Sequence, residues 1–206
     1  FTLNLPLKDG LRDDVFVAAF RRLAGGAADA FAPGCVVLQC GADGLAQDRV
    51  VQNAFGLTGA SFGSVVGEAA SWGVPLMVLG GGGYTPHNVA RAWAHATGVL
   101  AGVDLPNAIP EHEDLMEYGP RYELLTDATT LRPDENVLEE VLRRCDDLVD
   151  TLRKARAPPS PHSSSETDGE EGEEEAQGRE GTDSRGGDAE AADARADVGA
   201  NGGTAA

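Results

Sequence analysis

The strongest structural signal in this sequence lies at residues 74–93, VPLMVLGGGGYTPHNVARAW. Its first six residues are an apolar run of strand length, and four consecutive glycines follow. Pro86 then opens a run of helical spacing that reaches Gly102, and proline is favoured in the first turn of a helix. The pattern therefore predicts a buried strand, a glycine turn and a helix, in that order.

A second apolar run lies upstream at residues 35–40, CVVLQC, between a Pro-Gly pair and Gly41. Both runs are nearly continuous in apolar residues, which is typical of strands buried on both faces, as in a parallel sheet. Residues 58–73 between them predict a helix whose inward side chains are Phe62, Val65, Val66, Ala69 and Trp72. Alternating strands and helices indicate an α/β fold, and the right-handed crossover rule places both strands in one sheet with one direction.

Further elements are predicted on either side of this unit. Residues 11–31 predict a helix with Asp13 and Asp14 in its first turn, where the helix dipole favours acidic groups. Residues 135–155 predict the last helix, and the alternation of Thr2–Leu7 predicts a strand with Pro6 at an edge or an end.

Charge divides the 206-residue chain into residues 1–156, the folded part, and residues 157–206. The latter carry 13 acidic and three basic side chains and no aromatic residue, so we expect a disordered acidic tail. It is interpreted either as a solubilising tail or as a phosphorylated interaction tail. Residues 1–156 carry 21 acidic and 13 basic side chains, a balance that gives no sign of the basic face that direct nucleic-acid binding needs, so we expect no nucleic-acid partner.

Two further classes are disfavoured. No apolar run reaches the length of about 20 residues needed to cross a bilayer, so we expect no membrane association, and no targeting leader is visible. Three cysteines without metal-type spacing favour a reducing compartment.

In parallel sheets, ligands bind beyond the carboxyl ends of the strands. Asp43 and Tyr84 follow the two predicted strands, so we expect them at one edge of the sheet. Asp43 is either a turn or cap residue or a ligand to a divalent metal, with Asp48 as a less favoured helper. Tyr84 is either a core aromatic or a donor to a developing oxyanion. The glycines fit a tight turn, a wall along which a narrow substrate runs, or, less well, a phosphate loop.

Four segments together resemble zinc-dependent histone deacetylases, particularly those of class I. These are VLQCGADGLAQDR at 37–49, LGGGGYTPHNVARAW at 79–93, LNLPLKDG at 3–10 and IPEHEDLMEYGPRYEL at 109–124. The resemblance runs over about residues 1–154. It implies a three-layer, mainly parallel α/β fold of the arginase/deacetylase type, with only the carboxyl-terminal part of the catalytic domain present.

The resemblance also implies site residues. Asp43 corresponds to a zinc ligand, and Tyr84 to the residue that polarises the scissile carbonyl and stabilises the tetrahedral intermediate. Gly81 and Gly82 correspond to the wall of the acyl-lysine tunnel. Arg49 corresponds to one of two arginines that bind an inositol phosphate at a corepressor interface.

The sequence departs from the family pattern at several places. His87 replaces the second inositol-phosphate arginine, and the loop near Val50 is two residues longer than usual. The family's other zinc ligands, an Asp and a His, and its acid–base histidine pair lie upstream of the matched region. The histidines present are expected to be structural or exposed: His87, His95, His112 and His162.

The resemblance implies that the parent protein hydrolyses acetyl-lysine amides on histones with zinc as its cofactor. The expected partners are then acetylated histone tails and corepressor proteins. The expected location is the nucleus, with the cytoplasm as a further possibility. The 206-residue chain alone is expected to be inactive. The alternatives are a deacetylase of acetylpolyamines or other small amides, a non-catalytic interaction fragment and, more distantly, a nucleotide-binding domain.

Overall fold

The computed structural model of the protein describes residues 1–51, 54–128 and 132–157. The predicted acidic tail therefore lies outside the described residues, except for Ala157. The helices are α1 (Asp13–Phe20), α2 (Gly26–Phe31), α3 (Gly59–Ser71), α4 (Pro86–Ala101) and α5 (Leu138–Arg156), with a π-helical turn at Arg21–Gly25 and a 3-10 helix at Leu115–Tyr118. The strands are β1 (Val36–Gln39) and β2 (Leu76–Leu79).

The two strands form a parallel sheet in which Val36 pairs with Leu76 and Gln39 pairs with Leu79. Helix α3 connects them and contacts both. The predicted α/β class, with a helical crossover between parallel strands, is therefore confirmed.

The prediction that both faces of the strands are buried is wrong for the described part of the chain. Leu38 and Val78 pack against the hydrophobic core and define the covered face of the sheet. Val37, Met77 and Leu79 alternate with them and are 61%, 59% and 46% exposed, and they define the open face. Helix α3 packs against both strands, and within the described ranges one face of the sheet stays exposed, which the apolar pattern of the sequence could not indicate.

The strand predicted at Thr2–Leu7 is absent, although its alternation is real. Leu5 and Leu7 are half-buried against the core, whereas Asn4 and Pro6 between them are exposed. A strand also requires a ladder of hydrogen bonds to a neighbour, and no neighbour among the described residues pairs with this segment. The segment is therefore an extended stretch without strand pairing that packs two leucines against the core.

The helices begin and end close to where the sequence predicted. Thr58 caps α3 through Oγ1, which accepts a hydrogen bond from the Ala60 N–H at 3.2 Å, and α4 ends at Gly102 with a φ of +66°. Helix α5 begins at Leu138, three residues later than predicted, and buries one stripe against α1 and α2: Val141, Cys145, Val149 and Leu152. No helix in the described part of the chain is long and apolar enough to cross a membrane.

Candidate functional site at the strand ends

The loops that follow β1 and β2, residues 41–51 and 80–85, lie side by side and are called the strand-end rim. Cys40 donates its N–H to the Leu79 carbonyl at 2.8 Å, and Ala42 donates to the Gly82 carbonyl at 2.6 Å. The parallel pairing thus continues past the strands. Helix α4 is fixed to the same place, because the Trp93 indole donates to the Cys40 carbonyl at 2.9 Å.

Asp43 lies half-buried on this rim with its carboxylate against the glycine run. A Cβ at Gly82 would overlap a carboxylate oxygen of Asp43, and a Cβ at Gly81 would overlap the side-chain amide of Gln39. The two glycines predicted to line a substrate wall also leave room for the side chains of Gln39 and Asp43. Their place in a tunnel stays a prediction.

The last glycine of the run turns the chain into α4. Gly83 has a φ of +129°, which side chains with a Cβ rarely adopt, and a Cβ there would lie 2.7 Å from the Val89 side chain. The run therefore combines close packing with one conformation that requires glycine, which favours the tight turn among the interpretations of its sequence.

Tyr84 follows the glycines and is 42% exposed. Asp43 lines a largely apolar cavity of about 380 Å³ that Phe16, Phe55 and Phe62 also line, and Tyr84 is not among its described lining residues. The rim thus brings the two loops together through their backbones. The catalytic role of Tyr84 and the ligand role of Asp43 stay predictions.

Asp48, considered as a helper in metal binding, has another role. It is 2% exposed, and its Oδ2 accepts the Tyr84 N–H at 2.7 Å. Its Oδ1 accepts the N–H groups of Val50 and Val51 at 2.9 and 3.2 Å. Burial alone would raise the pKa of Asp48, but these three hydrogen bonds and the nearby Arg49 guanidinium hold its pKa below its ordinary value.

The contact between Asp48 and Tyr84 was missed because it joins residues that lie far apart in the chain. The only local signal is that Asp often accepts hydrogen bonds from the backbone N–H groups that follow it in a turn. The hydrogen bond to Tyr84 spans 36 positions, and no spacing rule predicts it.

The other predicted residues lie around the rim. Arg49 is exposed, and His87 is half-buried and packs edge-on against Tyr118 at 6.5 Å between ring centroids. His95 packs against Gly63 between α3 and α4, and His112 is exposed, while His162 lies outside the described residues. The inositol-phosphate role of Arg49 stays a prediction.

A catalytic zinc site takes three protein ligands and leaves one position open. Within the described ranges, no group of three or more His, Cys, Asp or Glu side chains is placed to hold a metal ion. Asp43 offers a half-buried carboxylate, which suits one position of such a site. The described residues therefore do not make a complete zinc site by themselves.

Comparison with known proteins identifies the family. The histone deacetylase domain family matches residues 1–100. Histone deacetylase 19 of Arabidopsis thaliana and histone deacetylase 3 of Oryza sativa subsp. japonica are each 40% identical to the chain over 162 residues. Those residues are 78% of this chain and 31% of each relative. Type-1 histone deacetylase 1 of Dictyostelium discoideum is 43% identical over 124 residues, which are 60% of this chain and 25% of that protein.

The structure is an α/β fold with its candidate site at the carboxyl ends of parallel strands, and the match to the histone deacetylase domain assigns it to the arginase/deacetylase type. The chain belongs to the histone deacetylase family. It spans about a third of the length of the curated relatives that it matches.

Proposed function

We propose that the protein from which this chain comes is a zinc-dependent deacetylase of class I type that hydrolyses acetyl-lysine amides on histone tails. The observation that carries the proposal is the strand-end rim, where the family's Asp loop and glycine–tyrosine loop are hydrogen-bonded to each other. The 40% identity to named histone deacetylases supports the same reaction.

In this proposal Asp43 is one zinc ligand, and the remaining ligands come from outside these 206 residues. Asp43 and those ligands would hold the zinc, which would supply Lewis-acid polarisation of the amide carbonyl and would lower the pKa of water to about 7. The Tyr84 hydroxyl donates a hydrogen bond to the oxyanion that forms when water adds to the amide carbonyl. Loss of one such donor typically costs about 2.7–4 kcal/mol of transition-state stabilisation.

The partners and the location follow from the same proposal. Acetylated histone tails are the substrates, corepressor proteins bind the assembled domain, and the nucleus is the site of action. Arg49 contributes to an inositol-phosphate site that His87 weakens, because a partly packed imidazole replaces a permanently charged guanidinium.

The test is Tyr84→Phe in the full-length protein, assayed with an acetylated histone-tail peptide. We expect kcat to fall by about 10²–10³-fold with zinc still bound. Tyr122→Phe is the matched control, because its hydroxyl contacts Met116 at 3.8 Å and not the rim, and it should leave kcat unchanged. Unchanged turnover of Tyr84→Phe would remove Tyr84 from the mechanism, and faster turnover of an acetylpolyamine would favour the small-amide alternative.

The inactivity of the isolated chain is a separate part of the proposal. A lone carboxylate holds zinc poorly, so metal analysis of the purified 206-residue chain should find much less than one zinc per chain and no deacetylase activity. Stoichiometric, tightly bound zinc together with activity would refute this part.

A further inference from the structure

Asp48 joins the two loops of the strand-end rim through a buried carboxylate. Oδ1 is used within its own loop by the N–H groups of Val50 and Val51, and Oδ2 is used across the rim by the N–H of Tyr84. All three donors are backbone groups, so the carboxylate fixes main chain, and an ionised acceptor makes such hydrogen bonds stronger than neutral ones.

The backbone around Tyr84 needs this fixing. Four glycines precede Tyr84, and glycine has more conformational freedom to lose than any other residue. On the other side, Thr85 donates its hydroxyl to the Gln47 carbonyl at 3.2 Å, and α4 begins at Pro86. Asp48 therefore fixes the backbone at the position between the four glycines and the start of α4.

We propose that Asp48 is a positioning residue for Tyr84: by accepting the Tyr84 N–H, it sets the place from which the phenol reaches the substrate carbonyl. The inference rests on the proposed function for the catalytic role of Tyr84. The contact that holds the Tyr84 main chain is visible in the described residues and does not depend on that role. A misplacement of about 1 Å in a catalytic group can cost about 10²-fold in rate, so a loosened Tyr84 should lower kcat substantially.

Asp48→Asn is the sharpest variant, because it keeps the shape of the side chain. One carboxylate oxygen becomes an NH₂ group, so at one of the two edges a donor must face a backbone donor. Asp13→Asn is the matched control. Asp13 also anchors a loop through a half-buried carboxylate, which accepts the N–H of Thr58 at 2.8 Å and its hydroxyl, but it does not contact Tyr84.

Two measurements are needed. The first is backbone hydrogen exchange of residues 80–88 in the 206-residue chain, which requires no zinc and no activity. Asp48→Asn should speed exchange there and leave α5 unchanged, whereas Asp13→Asn should leave residues 80–88 protected. The second is kcat and KM in the full-length protein, where Asp48→Asn should lower kcat at least about tenfold, with KM and zinc content within about twofold.

A double variant separates positioning from general destabilisation. In a Tyr84→Phe background, Asp48→Asn should have little further effect on kcat, because the group that it positions is gone. The same fractional loss in both backgrounds would overturn the inference, and so would unchanged exchange at residues 80–88. If Asp48→Asn does not fold, Asp48→Glu, which keeps the charge but moves the carboxylate by one methylene, should give the same pattern.

Failure of the proposed function has a different signature. If Tyr84→Phe retains full turnover, Tyr84 is not catalytic, and the positioning role falls with it whatever the exchange result. If Tyr84→Phe is inactive while Asp48→Asn loosens residues 80–88 without lowering kcat, the proposed function stands and the Asp48 inference fails.

Discussion

The strand-end rim and the open face belong to the same two-stranded sheet, yet the rim makes hydrogen bonds within the chain whereas the open face leaves apolar side chains exposed. On the rim, the Ala42 N–H bonds to the Gly82 carbonyl and the Tyr84 N–H bonds to the Asp48 carboxylate across the two loops, and a Cβ on Gly82 would overlap the Asp43 carboxylate. On the open face, Val37, Met77 and Leu79 expose between 46% and 61% of their surface. The two loops of the rim are thus hydrogen-bonded to each other within the described residues, whereas the open face presents apolar surface that a folded protein normally buries.

This difference separates what local pairing provides from what a complete domain provides. Parallel pairing and a crossover helix suffice to bring the two loops together. Covering both faces of a parallel sheet requires helices on both sides, and the described residues supply them on one side only.

The largest expected effect comes from two leucines on the two sides of this comparison. Leu11 is 0% exposed in the core below the covered face, and Leu79 is 46% exposed on the open face. Leu11→Ala should lower the free energy of unfolding by about 2–5 kcal/mol, because it leaves a cavity. Leu79→Ala should change it by less than about 1 kcal/mol, as measured by urea unfolding of the 206-residue chain.

The unfolding free energies of Leu11→Ala and Leu79→Ala should also be measured in the full-length protein. If a further part of the domain covers the open face there, Leu79→Ala should cost clearly more than in the 206-residue chain. Equal costs of Leu11→Ala and Leu79→Ala in the 206-residue chain would contradict the assignment of the two faces.

The next effect tests the packing of the rim. Gly82→Ala should lower the free energy of unfolding by about 1–3 kcal/mol, because its Cβ would overlap Asp43. Gly25→Ala is the control, since a Cβ there meets nothing within 4 Å, and it should be neutral or stabilising by up to about 1 kcal/mol. Thermal unfolding of both variants measures the difference. An unaffected Gly82→Ala would mean that the Asp43 carboxylate is not held against residue 82.

A smaller effect is expected in acid. The pKa of Asp48 in the folded chain lies below its ordinary value of 3.8, so its carboxylate stabilises the fold above that pH. This contribution is lost as the pH falls through the lower folded-state pKa. The stability difference between the parent chain and Asp48→Asn should therefore stay constant at neutral and mildly acidic pH, and shrink as the pH falls through 3.8 and then through the lower folded-state pKa, as measured by urea unfolding. A difference that stays constant over that fall would show that the charge of Asp48 contributes nothing.

The smallest effect concerns the two ends of β1. Cys35 is exposed before the strand, whereas Cys40 after it is buried, and burial raises the pKa of its thiol. Cys145 in α5 is likewise buried, with its pKa raised mainly by burial. A thiol reagent at neutral pH should label Cys35 at least about tenfold faster than the other two. Equal labelling rates would indicate that the core opens readily.

Much of the fold was predictable because its signals are local. The apolar runs, the proline at the start of α4 and the glycine at its end act within a few residues, and the predicted elements lie where those signals placed them. The inward side of α3 was also predictable, since Phe62, Val65 and Val66 recur at helical spacing and are buried. The strand prediction at residues 2–7 was wrong because alternating apolar residues indicate which side of a segment is half-buried but not whether a neighbouring strand pairs with it.

The order of strands and helices, the parallel direction of the sheet and the loops at its carboxyl edge could be read from the amino-acid sequence, because periodicity and chirality fix these within short segments. The tertiary structure was needed to show that Asp48 holds the Tyr84 backbone, that two of the glycines make room for Gln39 and Asp43, and that one face of the sheet is left open. These features depend on contacts between residues tens of positions apart, and a local sequence pattern does not specify which distant residues come into contact.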